Sequence, residues 1–133
     1  MHLHPAAGAV RTFCLLALMT LASCQSGTSS SSPERSALST MERVAVGANS
    51  CWFKSGDAAF GAYRLAPELN SFSGRPRILL VHKSSPEGRP LLVVQAEGNP
   101  ARLQAFGPMM AEPVADRISA DVTRWAAGRR DCR

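Results

Sequence analysis

The spacing of apolar residues after position 33 predicts a helix at the start of the folded part of the chain. One predicted helix face carries apolar residues three or four positions apart, namely Leu38, Met41, Ala45, Ala48 and Trp52, and Thr40 falls on another face. Ser32-Pro33-Glu34 offers a hydroxyl cap, a proline in the first turn and an acid near the positive end of the helix dipole. We therefore predict a helix over residues 34–51, with Gly47 as a position where it could fray.

A second helix is predicted from Pro113 to about Gly128. Its apolar stripe consists of Val114, Ile118, Val122 and Trp125. The polar residues of the segment, Asp116, Arg117, Asp121 and Arg124, are expected to face away from the core.

Between the two helices, apolar runs separated by turn residues predict strands. The clearest runs are 77–83 and 91–97, and the Pro- and Gly-containing segment 84–90 joins them as a hairpin. Weaker strands are predicted at 60–66 and 101–106, with 67–76 as a connecting loop. The predicted class is α+β: an N-terminal helix, an antiparallel meander of three or four strands, and a C-terminal helix packed on one sheet face.

The N-terminal segment has the features of an export signal. Residues 12–23 are almost entirely apolar and follow Arg11, but they are too few to cross a bilayer, which takes about 20 residues. The segment ends at Leu21-Ala22-Ser23-Cys24, and this sequence resembles the lipobox of bacterial lipoproteins. An ordinary signal peptide cleaved elsewhere is the alternative.

The lipoprotein resemblance implies cleavage before Cys24, lipid on the Cys24 side chain (a diacylglyceryl group) and permanent attachment to a membrane. Two or more acyl chains anchor a protein stably. Residue 25 is Gln rather than Asp, which in the enterobacterial sorting pattern favours the outer membrane, facing the periplasm, over the inner membrane. The remainder of the chain has the general look of small lipoproteins of Gram-negative bacteria.

The sequence then divides into a signal (1–23), a tether (24–33) and one α+β domain (34–133). Residues 25–32 are rich in Gly, Ser and Thr, and eight such residues span about 16 Å on average. The domain is therefore expected close to the membrane surface. The chain carries 15 basic and 10 acidic residues; this charge would favour contact with an anionic membrane, and outside the cytoplasm we expect no nucleic acid partner.

Four cysteines have separate fates in this interpretation. Cys14 leaves with the signal, Cys24 takes the lipid, and Cys51 and Cys132 remain as a pair in an oxidising compartment. A disulfide between them is the default prediction; free or intermolecular thiols and a metal site are the alternatives. Four strands would place Cys51 and Cys132 about 22 Å apart unless helix two tilts or residues 129–131 fold back, whereas three strands remove the conflict.

The candidate chemistry is sparse. No catalytic motif, metal-ligand spacing or phosphate loop occurs, so we expect no cofactor, no metal and no enzymatic activity. His82 is the best residue for the alternative of a hydrolase. The loop 67–77 is long, and Phe72, Arg75 and Arg77 are possible ligand contacts, although Leu69 and Phe72 could equally pin the loop to the core.

The expected function is that of a membrane-anchored envelope protein that contacts another envelope protein. One alternative is a binding module for a glycan, a peptidoglycan fragment or an anionic lipid, which would use the 67–77 loop. The other is the hydrolase.

Overall fold

A computed structural model describes residues 33–133 and confirms the α+β prediction. Four strands form one antiparallel sheet in sequential order, and one helix lies on either side of them in the chain. The strands are β1 (Tyr63–Glu68), β2 (Arg77–His82), β3 (Leu92–Glu97) and β4 (Arg102–Phe106). The helices are α1 (Ala37–Ala48) and α2 (Ala115–Ala126). Of the two predicted strand counts, four is therefore the observed one.

Helix α1 starts three residues later than predicted. Ser36, not Ser32, is its N-cap, and the Ser36 side chain accepts a hydrogen bond from the backbone N–H of Ser39. Pro33–Arg35 forms a separate 3-10 turn. The break follows from two backbone bonds to the β3–β4 turn: Ala37 N–H donates to Gly98 O (3.0 Å), and Ala101 N–H donates to Arg35 O (2.8 Å).

The buried face of α1 is rotated relative to the predicted stripe. Met41, Ala45 and Ala48 are buried as expected, but Leu38 is 42 % exposed, and Val44 and Thr40 are buried in addition. After Ala48 the chain continues as a π-helical segment, Asn49–Lys54, which carries Cys51 and Trp52 into the core.

The sheet buries one face under the helices. The core there contains Ile78 and Leu80 of β2, and Leu92, Val94 and Ala96 of β3. The first strand begins three residues later than predicted, because Ala58–Phe60 forms a 3-10 turn that places the Phe60 ring in the core. The other three strands lie within one residue of their predicted bounds at each end.

The end of the chain folds back along α2, which reconciles four strands with a disulfide. Gly128 adopts a positive φ of 91°, and beyond it Asp131 O accepts a hydrogen bond from Trp125 Nε1 (3.2 Å). Cys132 O accepts one from Arg124 (2.9 Å). Cys132 thereby reaches Cys51, and the two are joined by a disulfide with Cα atoms 5.3 Å apart.

The prediction that Asp121 faces away from the core is wrong. Asp121 is 3 % exposed and accepts a hydrogen bond from Trp52 Nε1 (2.8 Å). The Trp52 ring is stacked on Phe60 (4.4 Å between centroids) and meets Trp125 edge-on (5.1 Å). An indole N–H buried in this way needs an acceptor, and Asp121 supplies it while pairing with Arg124.

Candidate functional site

The second face of the sheet, which we call the open face, is the main candidate for binding. The strand register places Ala66, Leu79, Val93 and Phe106 in one row across all four strands. These residues lie outside the core cluster that the helices cover. Leu79 belongs to an inner strand and is 9 % exposed, whereas Phe106 on the edge strand is 47 % exposed. An apolar row therefore runs to the surface on this face.

Polar rows border the apolar row towards one end of the sheet. The first row contains Glu68, Arg77, Gln95 and Gln104, and the second contains Glu97 and Arg102. Arg77 pairs with Glu68 (2.6 Å) and Gln95 donates to Gln104 (2.9 Å). On the other side of the apolar row, Arg64 is opposite Val81 and is exposed. The face thus carries three arginines against two glutamates.

Glu97 is shared by two arginines. It lies 3.1 Å from Arg75 Nε and 3.0 Å from Arg102, whose side chain is 75 % exposed. The hydrogen bond from Arg102, together with the charge of Arg75, holds the pKa of Glu97 below its usual value. Because the single carboxylate of Glu97 pairs with two guanidinium groups, one positive charge remains uncompensated at this end of β3 and β4.

The loop between β1 and β2 holds the residues predicted to contact a ligand. Leu69 packs against the core, but Phe72 is fully exposed, so the two do not pin the loop together. Arg77 stands at the start of β2 beside Glu68, and Arg75 reaches Glu97. The structure therefore brings both arginines to the rim of the open face, whereas Phe72 projects from the loop between Ser71 and Ser73.

His82 lies at the opposite end of β2 from this loop. Its ring packs 5.2 Å from that of Tyr63, its partner across the strands. Within residues 33–133, no side-chain hydrogen bond or ion pair joins His82 to a carboxylate, serine or cysteine. A hydrolase centred on His82 thus has no observed partner group in this part of the chain.

An ionic cluster surrounds the disulfide. Asp57 accepts hydrogen bonds from the Ala59 N–H (3.0 Å) and from Arg117, and Arg117 also approaches Asp121 (3.6 Å). The hydrogen bond from Arg117 lowers the pKa of Asp57, and Asp57 in turn raises the pKa of Arg117. The Asp57–Arg117 pair joins the segment before β1 to α2, whereas Asp121 pairs with arginines of its own helix, so the cluster ties that segment to α2.

The predicted N-terminal features lie outside the described residues, and those described residues contain no candidate membrane-spanning helix or metal site. The signal, Cys24 and most of the tether precede residue 33 and are not part of the described structure. Among residues 33–133, no helix is both long and apolar enough to cross a membrane. The same residues contain no group of three or more side chains placed to hold a metal ion.

Comparison of the chain with protein-family models, with curated proteins and with solved structures finds no match.

The open face was not among the candidates predicted from the sequence. The signal for it is present in Ile78-Leu79-Leu80-Val81, where apolar residues are consecutive rather than alternating. Such a run indicates a strand with two apolar faces. The helices cover only one of those faces, which makes the other a candidate for contact with a partner.

Proposed function

We propose that this protein is a lipid-anchored envelope protein whose domain binds another protein through the open face of its sheet. The anchor is the lipid on Cys24, and the compartment is the periplasmic side of the envelope, with the outer membrane favoured. The observation that carries the binding proposal is the apolar row Ala66, Leu79, Val93 and Phe106, which no helix of the described residues covers.

The charges on the face favour a particular kind of partner. Arg64, Arg77 and Arg102 outnumber Glu68 and Glu97, so a partner with an apolar centre and an acidic rim is complementary. A second copy of this chain is disfavoured, because two such faces would both carry an excess of positive charge. The partner we propose is therefore a different protein.

The size of the face bears on the affinity. Four strands at a spacing of about 4.8 Å and five residues at about 3.4 Å give a projected area of roughly 320 Å². Stable complexes bury about 800 Å² per partner. The open face alone therefore suits a weak, transient contact, unless the partner also extends over its rim.

The binding proposal is tested by crosslinking at matched positions. A photoreactive residue is placed at Phe106 on the open face or at Leu38 on α1; these side chains are 47 % and 42 % exposed. In intact cells we expect an adduct with one protein from position 106 and none from position 38. That protein is then purified, and its affinity is measured for the original chain and for two variants.

Phe106→Ala should weaken the affinity about tenfold, because a half-buried phenylalanine gains further burial on binding. Leu38→Ala should leave the affinity unchanged. Equal losses from both variants, or adducts from both positions with the same proteins, would refute docking at the open face.

The anchor is tested separately by mass spectrometry of the N-terminal peptide. We expect Cys24 to be the first residue and to carry lipid, and an unlipidated N-terminus at another residue would refute the anchor.

A further inference from the structure

The β1–β2 loop and the point where the tether joins the domain lie at the same end of the sheet. In an antiparallel meander, the end of β1, the start of β2, the end of β3 and the start of β4 share one end. The loop 69–76 and the turn 98–101 are therefore neighbours. The backbone bonds of Arg35 and Ala37 to this turn bring the start of the described chain to the same place. We call this end the tether end.

The most exposed large apolar side chain of the described residues, Phe72, lies at the tether end. Its loop is closed by local hydrogen bonds: Gly74 N–H donates to Ser71 O (3.1 Å), and the Ser71 and Ser73 hydroxyls are 2.7 Å apart. Leu69 holds the base of the loop against the core. The loop is thus fixed at its base and presents one phenylalanine to the surroundings.

Two exposed arginines lie at the same end of the sheet as this phenylalanine. Arg75 and Arg102 share Glu97 and keep 54 % and 75 % of their side chains exposed. Their uncompensated charge lies where phosphate groups would be if the tether end faced a bilayer. An exposed aromatic ring at the same end of a domain as exposed arginines suits the interface of an anionic membrane, because the ring enters the acyl boundary and the guanidinium groups remain at the headgroups.

We propose that the tether end is a second membrane contact, in which Phe72 enters the anionic bilayer that holds the lipid of Cys24. This inference rests on the lipid anchor of the proposed function. Nine residue steps separate Cys24 from Pro33, so a fully extended chain spans at most about 32 Å. A tether of this length keeps the end from which it leaves near the bilayer, and that end carries Phe72.

The orientation has a consequence for partner binding. With the tether end on the membrane, the strands stand upright and the open face looks along the membrane plane. A partner protein could then approach from the side while it is itself attached to the same membrane. The lipid contact and the protein contact would use different apolar side chains, Phe72 for the first and Phe106 for the second.

The test measures the immersion depth of a spin label in the full, lipidated protein. The protein is purified with its anchor and placed in vesicles of phosphatidylethanolamine and phosphatidylglycerol. Labels are attached in separate variants at Phe72→Cys and at Glu87→Cys; Glu87 lies in the exposed turn at the opposite end of the sheet. Cys51 and Cys132 do not react with the label, because they are joined to each other.

We expect the label at position 72 to be accessible to oxygen and protected from a water-soluble nickel complex, and the label at position 87 to show the reverse. Vesicles of phosphatidylcholine alone should immerse position 72 in a smaller fraction of molecules. Equal immersion in both vesicle types would overturn the role of the arginines. A water-exposed label at position 72 would overturn the membrane contact itself, and would leave the loop open to a soluble ligand such as a glycan.

Mass spectrometry of Cys24 in the same preparation separates this inference from the anchor. Lipid on Cys24 with a water-exposed position 72 refutes the inference alone. Absence of the lipid refutes the anchor. If the label at position 72 is then exposed to water, the inference is refuted as well; if it still enters the bilayer, the membrane contact of Phe72 stands without the anchor.

Discussion

Replacement of Gly47 by alanine tests how tightly α1 and α2 are packed. In an isolated helix this change stabilises by about 1 kcal/mol, because glycine loses more backbone freedom than alanine. In this domain we expect the opposite sign. A Cβ on Gly47 would lie 2.7 Å from Cε2 of the Trp125 ring, and closer still to two other ring carbons.

The magnitude follows from what must move. Trp125 is fully buried, and its ring contacts Trp52 edge-on while its Nε1 donates to Asp131 O. Overpacking of a core costs about 1–3 kcal/mol, and a displaced ring forfeits part of an aromatic contact and a hydrogen bond worth about 1 kcal/mol each. Against a helix gain of about 1 kcal/mol, Gly47→Ala should lower the free energy of unfolding by about 2–4 kcal/mol.

Urea denaturation of the oxidised protein measures this change, and a second glycine provides the control. Gly61 has an ordinary φ of −59°, and a Cβ there would meet only Ala58 O at 3.5 Å. Gly61→Ala should therefore be neutral or stabilising by up to about 1 kcal/mol. In a Trp125→Leu background, Gly47→Ala should lose its penalty. A stabilising Gly47→Ala in the original protein would refute the packing argument.

Two further predictions concern the disulfide and the ion pairs of the domain. Replacing both Cys51 and Cys132 by alanine opens a loop of 82 residues, and the chain-entropy model then gives a free energy of unfolding lower by about 4.5 kcal/mol. A decrease below about 1 kcal/mol in urea denaturation would show that the other contacts of the tail hold it in place without the disulfide. The folded-state pKa values of Asp57, Glu97 and Asp131 are lowered by their arginine partners. Because a lowered pKa means that the unfolded chain binds more protons, this stabilisation is complete above the unfolded value of about 4 and is lost as the pH falls through the folded value. Asp57→Asn should lower stability at pH 7 and flatten its decline in acid, whereas Glu87→Gln in the exposed turn should leave both unchanged. An unaltered acid profile for Asp57→Asn would contradict the assignment.

The sequence predicts the sheet better than the helix ends. The strands β2 and β3 are continuous apolar runs bounded by proline, glycine and serine. The predicted ends of these two strands lie within one residue of the observed ends. The start of α1 is misplaced because Ser36 and Ser32 are equally good caps locally. The choice between them depends on backbone bonds to Gly98 and Ala101, about 60 residues away. No local pattern contains that information.

The misplacement of Asp121 follows from its residue type rather than from its position. A carboxylate is normally solvated, but the helical period places Asp121 beside Ile118 and Trp125 on the apolar stripe. The π-helical segment after α1 carries Trp52 across to α2, where its N–H needs an acceptor. The open face is a further case: the pattern of β2 shows two apolar faces, but only the tertiary arrangement shows which one the helices leave uncovered.

The positions of the disulfide and of the proposed contacts indicate that stability and binding can be separated in this domain. Cys51 lies 14 residues beyond Ala37, or about 20 Å along the helical axis from the tether end. The ionic cluster of Asp57, Arg117 and Asp121 surrounds the disulfide and lies on the helix side of the sheet. Neither Phe72 nor Phe106 contacts this cluster in the described structure. Phe72 is fully exposed, so substitutions there should leave the free energy of unfolding nearly unchanged, and a loss of membrane contact measures the contact itself. Phe106→Ala also loses the buried half of a ring on β4, so its affinity is compared under conditions where the variant is shown to be folded.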